Sequence, residues 1–425
     1  MPTRARRAGL RTGLILAAGL CCLTACQTFQ RAYFANGLFS GTDEVDNFRS
    51  LGTLFPVHGI ARPAHPDPLP AGAPLELPAG FTFNDLAEST EDFLSSTDTT
   101  GLLVLQDGRI VYERYWRGND AHTHWISWSV AKSFVSALVG IAVHDGAIGS
   151  IEDPVTRYLP ELAGSAYDGV RIKDILQMSS GASWNEDYGD RDSDINRFGR
   201  TFALGGSFDE FVRTLKREHP PGTFHRYNSM DTQVLGMLLR RTTGRTLADD
   251  LHEKLWVPLG MESDAWWLTD DHGAEFAAGG LNATLRDYAR LGLLYANGGL
   301  WRGVPVVPAE WVKASVTPDA PHLMPGRRAS AQDSWGYGYQ WWVPDNSGNF
   351  SAVGIYNQFV YVSPAAHLVI AKTSANHAYG TTSNDLSYRE NEHIAFFRAI
   401  EASLGRGPAT AYPAAPPPPR AAAAP

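Results

Sequence analysis

The sequence predicts an α/β domain of the α+β kind: an antiparallel sheet flanked by helices, with a helical region inserted between its first and last strands. Three observations lead there. Two short apolar runs, at 102–105 and 110–112, flank the turn dipeptide Asp107-Gly108, the pattern of a tight hairpin. Apolar residues at helical spacing dominate the middle, as at 170–178 and 232–241, between loops rich in Gly, Pro and Asn. Strand-like runs return at 338–343, 358–362 and 368–373, and a helical pattern at 391–404 closes the domain. Strands at both ends of a segment with helices between them are accommodated by one sheet built from both ends.

A chain of 425 residues, 44% hydrophobic and 19% charged, has the composition of a globular protein and can bury a large core. The formal charge of −9 argues against a nucleic-acid partner, which needs basic surface. At the N-terminus, Arg4, Arg6, Arg7 and Arg11 precede an apolar stretch at 14–20. That stretch is too short to span a bilayer and has the layout of a secretory signal. Leu23-Thr24-Ala25-Cys26 resembles the lipobox of bacterial lipoproteins, which implies a signal peptide at 1–25, a lipidated Cys26 and attachment to the cell envelope. With Gln27 rather than Asp next, the same resemblance implies the outer membrane, facing the periplasm. A plain cleaved signal fits the same small residues, and both readings export the protein.

The three cysteines, Cys21, Cys22 and Cys26, all lie in this leader. The body therefore has no internal disulfide, thiolate metal site or cysteine nucleophile. Residues 26–80 are expected to be an N-terminal segment with an extended connector, since seven prolines fall between positions 56 and 78. The main domain is expected at 81–405, and the Pro/Ala-rich stretch 406–425 is expected to be disordered.

Lys132 stands at the head of a long apolar run, with Ser129 one helical turn earlier on the same face. A buried ammonium is costly unless it finds a partner or loses its proton. Desolvated beside a serine, a lysine can be neutral near pH 7 and take the hydroxyl proton, which activates the oxygen as a nucleophile. A helix N-terminus adds free N–H groups and the positive end of the dipole. Chance supplies about one Ser-x-x-Lys in a chain of this length, and a serine cap with a lysine snorkelling from the first turn is the alternative.

The nucleophile reading calls for a second acid/base group and an oxyanion hole. Tyr227-Asn228-Ser229 follows the turn at Pro221-Gly222 and falls at the mouth of a helix. A phenol near cationic Lys132 is expected to favour its ionised form and to exchange protons with Ser129. A core aromatic followed by a helix cap is again the alternative.

Ser129-Val130-Ala131-Lys132, followed by Pro221-Gly222-Thr223 and Tyr227-Asn228-Ser229, resembles the penicillin-recognising serine hydrolases. The likeness is to the branch related to class C β-lactamases, family VIII carboxylesterases and 6-aminohexanoate-dimer hydrolases. Asp174-Ile175-Leu176-Gln177-Met178-Ser179-Ser180-Gly181, Leu255-Trp256-Val257-Pro258-Leu259-Gly260-Met261 and Gly279-Gly280-Leu281-Asn282-Ala283-Thr284 extend it over about residues 80–405. The resemblance implies a β-lactamase/DD-peptidase-like fold and a serine hydrolase that cleaves a small ester or amide through an acyl-serine, with no metal and no cofactor. It implies Ser129 as the acylated nucleophile, Lys132 as its proton acceptor and Tyr227 as the partner base or acid.

The family's third motif matches best at Gly354-Ile355-Tyr356-Asn357-Gln358, which has no basic residue. Resemblance to the aminohexanoate branch implies the backbone N–H groups of Ile355 and Ser129 as oxyanion hole, a role that needs no particular side chain. Tyr188 matches a pocket tyrosine of that branch, with a loop aromatic packed on the surface as the alternative, and Ser229 and Tyr356 are the other expected substrate-pocket residues. Without a cation on this strand, the cleft is expected to prefer neutral acyl groups, with Tyr356 and Trp341 or Trp342 as apolar walls, unless Arg226 or Arg327 swings in.

Lys372-Thr373-Ser374 imitates the missing motif but ends an apolar strand and lacks the glycine that admits a ligand to the backbone. His122-Thr123-His124 lacks the further ligands of a zinc motif, and the chain has no Gly-x-Ser-x-Gly elbow. Two alternatives stand beside an esterase or amidase: a D-alanyl-D-alanine peptidase or β-lactamase on the same scaffold, and a non-catalytic envelope binding protein. The expected partners are a small-molecule substrate and, through Cys26, a membrane; no oligomeric state is implied.

Overall fold

The computed structural model describes residues 29–31, 44–381 and 387–405. The signal segment, Cys26 and the tail at 406–425 lie outside the described residues. The elements that position the site begin with α1 (Glu44–Leu54), β1 (Val57–Ile60), the hairpin β2 (Thr99–Gln106) and β3 (Arg109–Tyr115), β4 (Trp125–Ile126) and α2 (Ala131–His144). Then come α3 (Asp194–Ala203), α4 (Ser229–Thr243), β5 (Ala265–Leu268), β6 (Leu281–Ala283) and α5 (Leu285–Ala296). The chain closes with β7 (Gly336–Tyr337), β8 (Trp342–Val343), β9 (Phe350–Gly354), β10 (Gln358–Ser363), β11 (Leu368–Ser374) and α6 (Glu390–Ser403).

Seven strands form one antiparallel sheet in the order β7-β8-β9-β10-β11-β2-β3. The early hairpin thus docks onto the last strand, with Leu103 opposite Ala371 and Val104 opposite Ile370, and the sheet is built from both ends of the domain. β2 is apolar on both faces because both are covered. Leu103 and Leu105 point into the main core, whereas Leu102 and Val104 pack with Phe396, Phe397 and Ile400 of α6. In sequence, the helical region lies between the first two and the last five strands of this sheet. Every residue of α2 from Ala131 to Ala142 is buried, as its all-round apolar sequence requires.

Two expectations need correction. Of the strand expected at 338–343 only Trp342–Val343 is strand, and 338–341 form the turn that joins it to Gly336–Tyr337. Gln340 takes a left-handed φ of 62°, and its side chain turns inward to donate to the carbonyl of Leu176 at 2.8 Å. The Pro-rich stretch is more than a connector: β1 pairs with β5 in a second sheet of order β1-β5-β6-β4. It occupies an edge, where prolines on either side are tolerated. Ahead of it, α1 buries Phe48 and Leu51 in the main core.

Candidate active site

Three elements converge beside the sheet: the entry to α2, the N-terminus of α4 and the tip of the β9–β10 hairpin. Ser129 lies in the 3-10 turn Trp128–Val130 that leads into α2. Trp128 has a φ of 44°, a conformation that is strained for a bulky side chain. Its ring is held by Phe48 of α1, with centroids 5.4 Å apart, and by Tyr356 at 5.9 Å.

Lys132 is 2% exposed. Its Nζ lies 2.7 Å from Ser129 Oγ, 2.7 Å from the carbonyl oxygen of Ala278 and 3.2 Å from Ser229 Oγ. Burial lowers its pKa to about 7, against the attraction of Glu186, which raises it. Hydrogen-bond roles follow from the neighbours. The Ala278 oxygen can only accept. Ser229 Oγ gives its proton to Glu186 Oε1 at 2.6 Å, so towards Lys132 it also accepts. Two N–H bonds of a neutral amine are then committed, and its lone pair is left for the Ser129 hydroxyl.

Glu186 is the site residue that the sequence did not reveal. Its carboxyl accepts from Ser229 Oγ, from Tyr188 OH at 2.7 Å, from the backbone N–H of Ser229 at 3.1 Å and from Trp184 Nε1. It therefore also caps the N-terminus of α4, where negative charge is favoured. In sequence it is one acid among Asn185-Glu186-Asp187, with no local feature to separate it from a solvated loop.

Tyr227 stacks on Trp342 with centroids 5.2 Å apart and planes 21° apart, and Lys132 Nζ stands 5.1 Å from its ring centre. Its pKa is raised well above the usual phenol value, chiefly by burial and next by Glu186, while a hydrogen bond with Ser129 opposes the shift. This corrects the expectation of an ionised phenol. Lys132 is itself close to neutrality, so it offers little charge against burial and a nearby carboxyl. Asn228 caps α4 by accepting from the N–H of Met230 at 2.9 Å. Asp231, bonded to Asn228, Ser180 and Tyr167, fixes that turn from below.

Gly354 ends β9 against the nucleophile turn. A Cβ there would stand 2.7 Å from the carbonyl oxygen of Ser127 and 3.1 Å from the backbone nitrogen of Ser129. Only glycine permits this approach, which seats Ile355 beside Ser129 at the cleft wall. Tyr356 is not a wall. Its φ of 60° turns the side chain inward, where it is fully buried on Phe48 at 4.7 Å and Tyr379 at 5.7 Å. Trp341 is likewise buried on Tyr295 and Phe350, so of the two tryptophans Trp342 lines the cleft. Arg226 pairs with Glu218, but Arg327 lines the cleft, as does Arg328, whose guanidinium donates to the carbonyls of His322, Gly326 and Trp335. The cleft therefore has cationic groups that its strand lacks.

The decoys fall elsewhere. Lys372 is buried on β11, bonded to Ser374 Oγ and to Thr97 Oγ1. His124 bonds the Asp264 carbonyl at 2.7 Å and packs on Trp266. Among the described residues, no group of three or more His, Cys, Asp or Glu is arranged to hold a metal ion.

A family model described as Beta-lactamase matches residues 93–391. A 6-aminohexanoate-dimer hydrolase from Paenarthrobacter ureafaciens is 33% identical over 339 residues, which cover 77% of this chain and 84% of that protein. The chain belongs to the beta-lactamase family. Within it, the protein is a serine hydrolase related to the 6-aminohexanoate-dimer hydrolase. A solved structure from Bacillus anthracis matches with a TM-score of 0.75 at 24% identity, over 84% of this chain and 93% of that one. EstCE1, described as a hydrolase with promiscuous acyltransferase activity, matches with a TM-score of 0.58 at 15% identity, over 74% and 96%. Both show the β-lactamase/DD-peptidase-like fold of this beta-lactamase-family member.

Proposed function

We propose that this beta-lactamase-family hydrolase cleaves a small ester or amide through an acyl-enzyme on Ser129. The observation that carries the reading is the lone pair of Lys132, aimed at the Ser129 hydroxyl by the Ala278 and Ser229 acceptors. Ser129 Oγ attacks the carbonyl carbon while its proton passes to Lys132. The oxygen that becomes negative is met by the N–H groups of Ser129 and Ile355. Tyr227, protonated, gives its proton to the leaving oxygen or nitrogen as the bond to the acyl carbon breaks. Water then enters by the reverse route and releases the acid.

The pH profile tests this. Lys132 must be neutral to act, so kcat/KM is expected to fall about tenfold per pH unit below its pKa of about 7 and to level off above it. Glu186→Gln removes the attraction that raises this pKa, so the acid limb is expected to move to lower pH. A lower rate with an unmoved limb would reduce Glu186 to a scaffold for Ser229.

Arg327 and Arg328 favour one second reading. A substrate with a carboxylate next to its scissile amide, as in D-alanyl peptides and β-lactams, would find a cation on the leaving-group side. Stable penicillin labelling of Ser129 would support it.

The leader supports export and anchoring in the outer membrane through Cys26. No helix among the described residues is long and apolar enough to cross a membrane. Cys26→Ser is expected to remove the protein from the detergent-soluble membrane fraction. An unlipidated wild-type chain, weighed by mass spectrometry, would contradict the anchor.

A further inference from the structure

The site opens onto two spaces that share Ser129, Tyr188 and Ile355. One is a polar cleft of about 660 Å³ that includes Tyr227, Glu186 and Arg327. The other is an apolar recess of about 70 Å³ behind Ser129, walled by Leu51 and Phe55 from the N-terminal segment and by Phe198 and Phe202 from α3. We propose that the recess receives the acyl chain and the cleft receives the leaving group. The enzyme is thereby selective for short, neutral, unbranched acyl groups joined to a polar leaving group. This rests on the acyl-serine reading above and adds the substrate's orientation to it.

The proton donor sets the direction. Tyr227 lines the cleft and not the recess, so a leaving atom within its reach places the other arm of the carbonyl towards the recess. Apart from Ser129 and the Trp128 indole, the side-chain donors that line the recess are already committed. Ser229 Oγ and Tyr188 OH both donate to Glu186, and Asn196 Nδ2 donates to the carbonyls of Tyr188 and Asp190. A charged acyl group would lose its hydration there with no opposite charge among the lining residues in return.

The outer wall is built by sequence upstream of the family match, which begins at residue 93. Phe55 packs on Phe202 at 4.2 Å. Arg31 stands 5.2 Å from the centre of the Phe55 ring, donates to the carbonyl of Leu54 at 2.5 Å and pairs with Asp271 at 2.9 Å. Phe55 is thus a specificity-determining residue, and Arg31 a positioning residue that holds it.

Gly199 supplies the test. It lines the recess from α3, and a Cβ built on it meets nothing within 4 Å. A side chain at 199 therefore starts in open space beside the recess, and Leu raises helix propensity over Gly. With p-nitrophenyl acetate, butanoate and hexanoate, wild-type kcat/KM is expected to rise about fourfold per methylene until the chain outgrows the recess. Gly199→Leu should lose about tenfold more on butanoate and hexanoate than on acetate. Phe55→Ala should move the optimum to a longer chain. Fluorophosphonate labelling of Ser129 in each variant separates this proposal from the nucleophile assignment. Labelled enzyme with an unchanged chain-length profile in Gly199→Leu, or with acetate and hexanoate lost equally, would overturn the acyl placement alone.

Discussion

Ser129→Ala is expected to lower turnover of short p-nitrophenyl esters by about six powers of ten, as loss of a serine nucleophile does when base and oxyanion hole stay in place. The fold should survive. Ser129 is a small side chain in a turn whose shape is set by Trp128, Phe48 and Gly354, and circular dichroism should not change. What remains is an amine and two N–H donors with no oxygen to deliver, so residual activity should be only the small rate over water that binding and the oxyanion donors supply. A drop of only ten- to a hundredfold would point to a different nucleophile.

Lys132→Arg is expected to cost about two to four powers of ten in kcat, the usual worth of a positioned general base. Arginine keeps the charge but cannot accept a proton at any working pH. It also brings a permanent cation into a site where burial already drives Lys132 towards neutrality. Lys132→Ala, measured with and without a small primary amine, removes the steric objection. Partial recovery by the amine is the expected result, whereas near-normal turnover in Lys132→Arg would make Lys132 an electrostatic residue only.

What was legible in the sequence depended on the range of the interaction that fixes it. Ser129 and Lys132 are three residues apart in a helical stretch, so their meeting is local, and the structure places them 2.7 Å apart. Tyr227 was marked by a turn and a helix start. The apolar run at 102–105 before Asp107-Gly108 announced a hairpin strand. Glu186 was hidden because its partners, Ser229 and Lys132, lie 43 and 54 residues away and nothing about a loop acid announces them. The inward turn of Tyr356 was hidden as well, since it depends on a left-handed backbone that only packing against Phe48 and Tyr379 sustains. Prolines masked β1, an edge strand fixed by pairing with residues some two hundred positions later.

Covalent labelling tests the central claim most directly. The protein is treated with a fluorophosphonate, digested, and the modified peptide is sequenced by mass spectrometry. One adduct is expected, on Ser129, present in the wild type and in Glu186→Gln, slowed in Lys132→Arg and absent in Ser129→Ala. Inactivation of the wild type with the adduct on another residue would contradict the acyl-enzyme at Ser129.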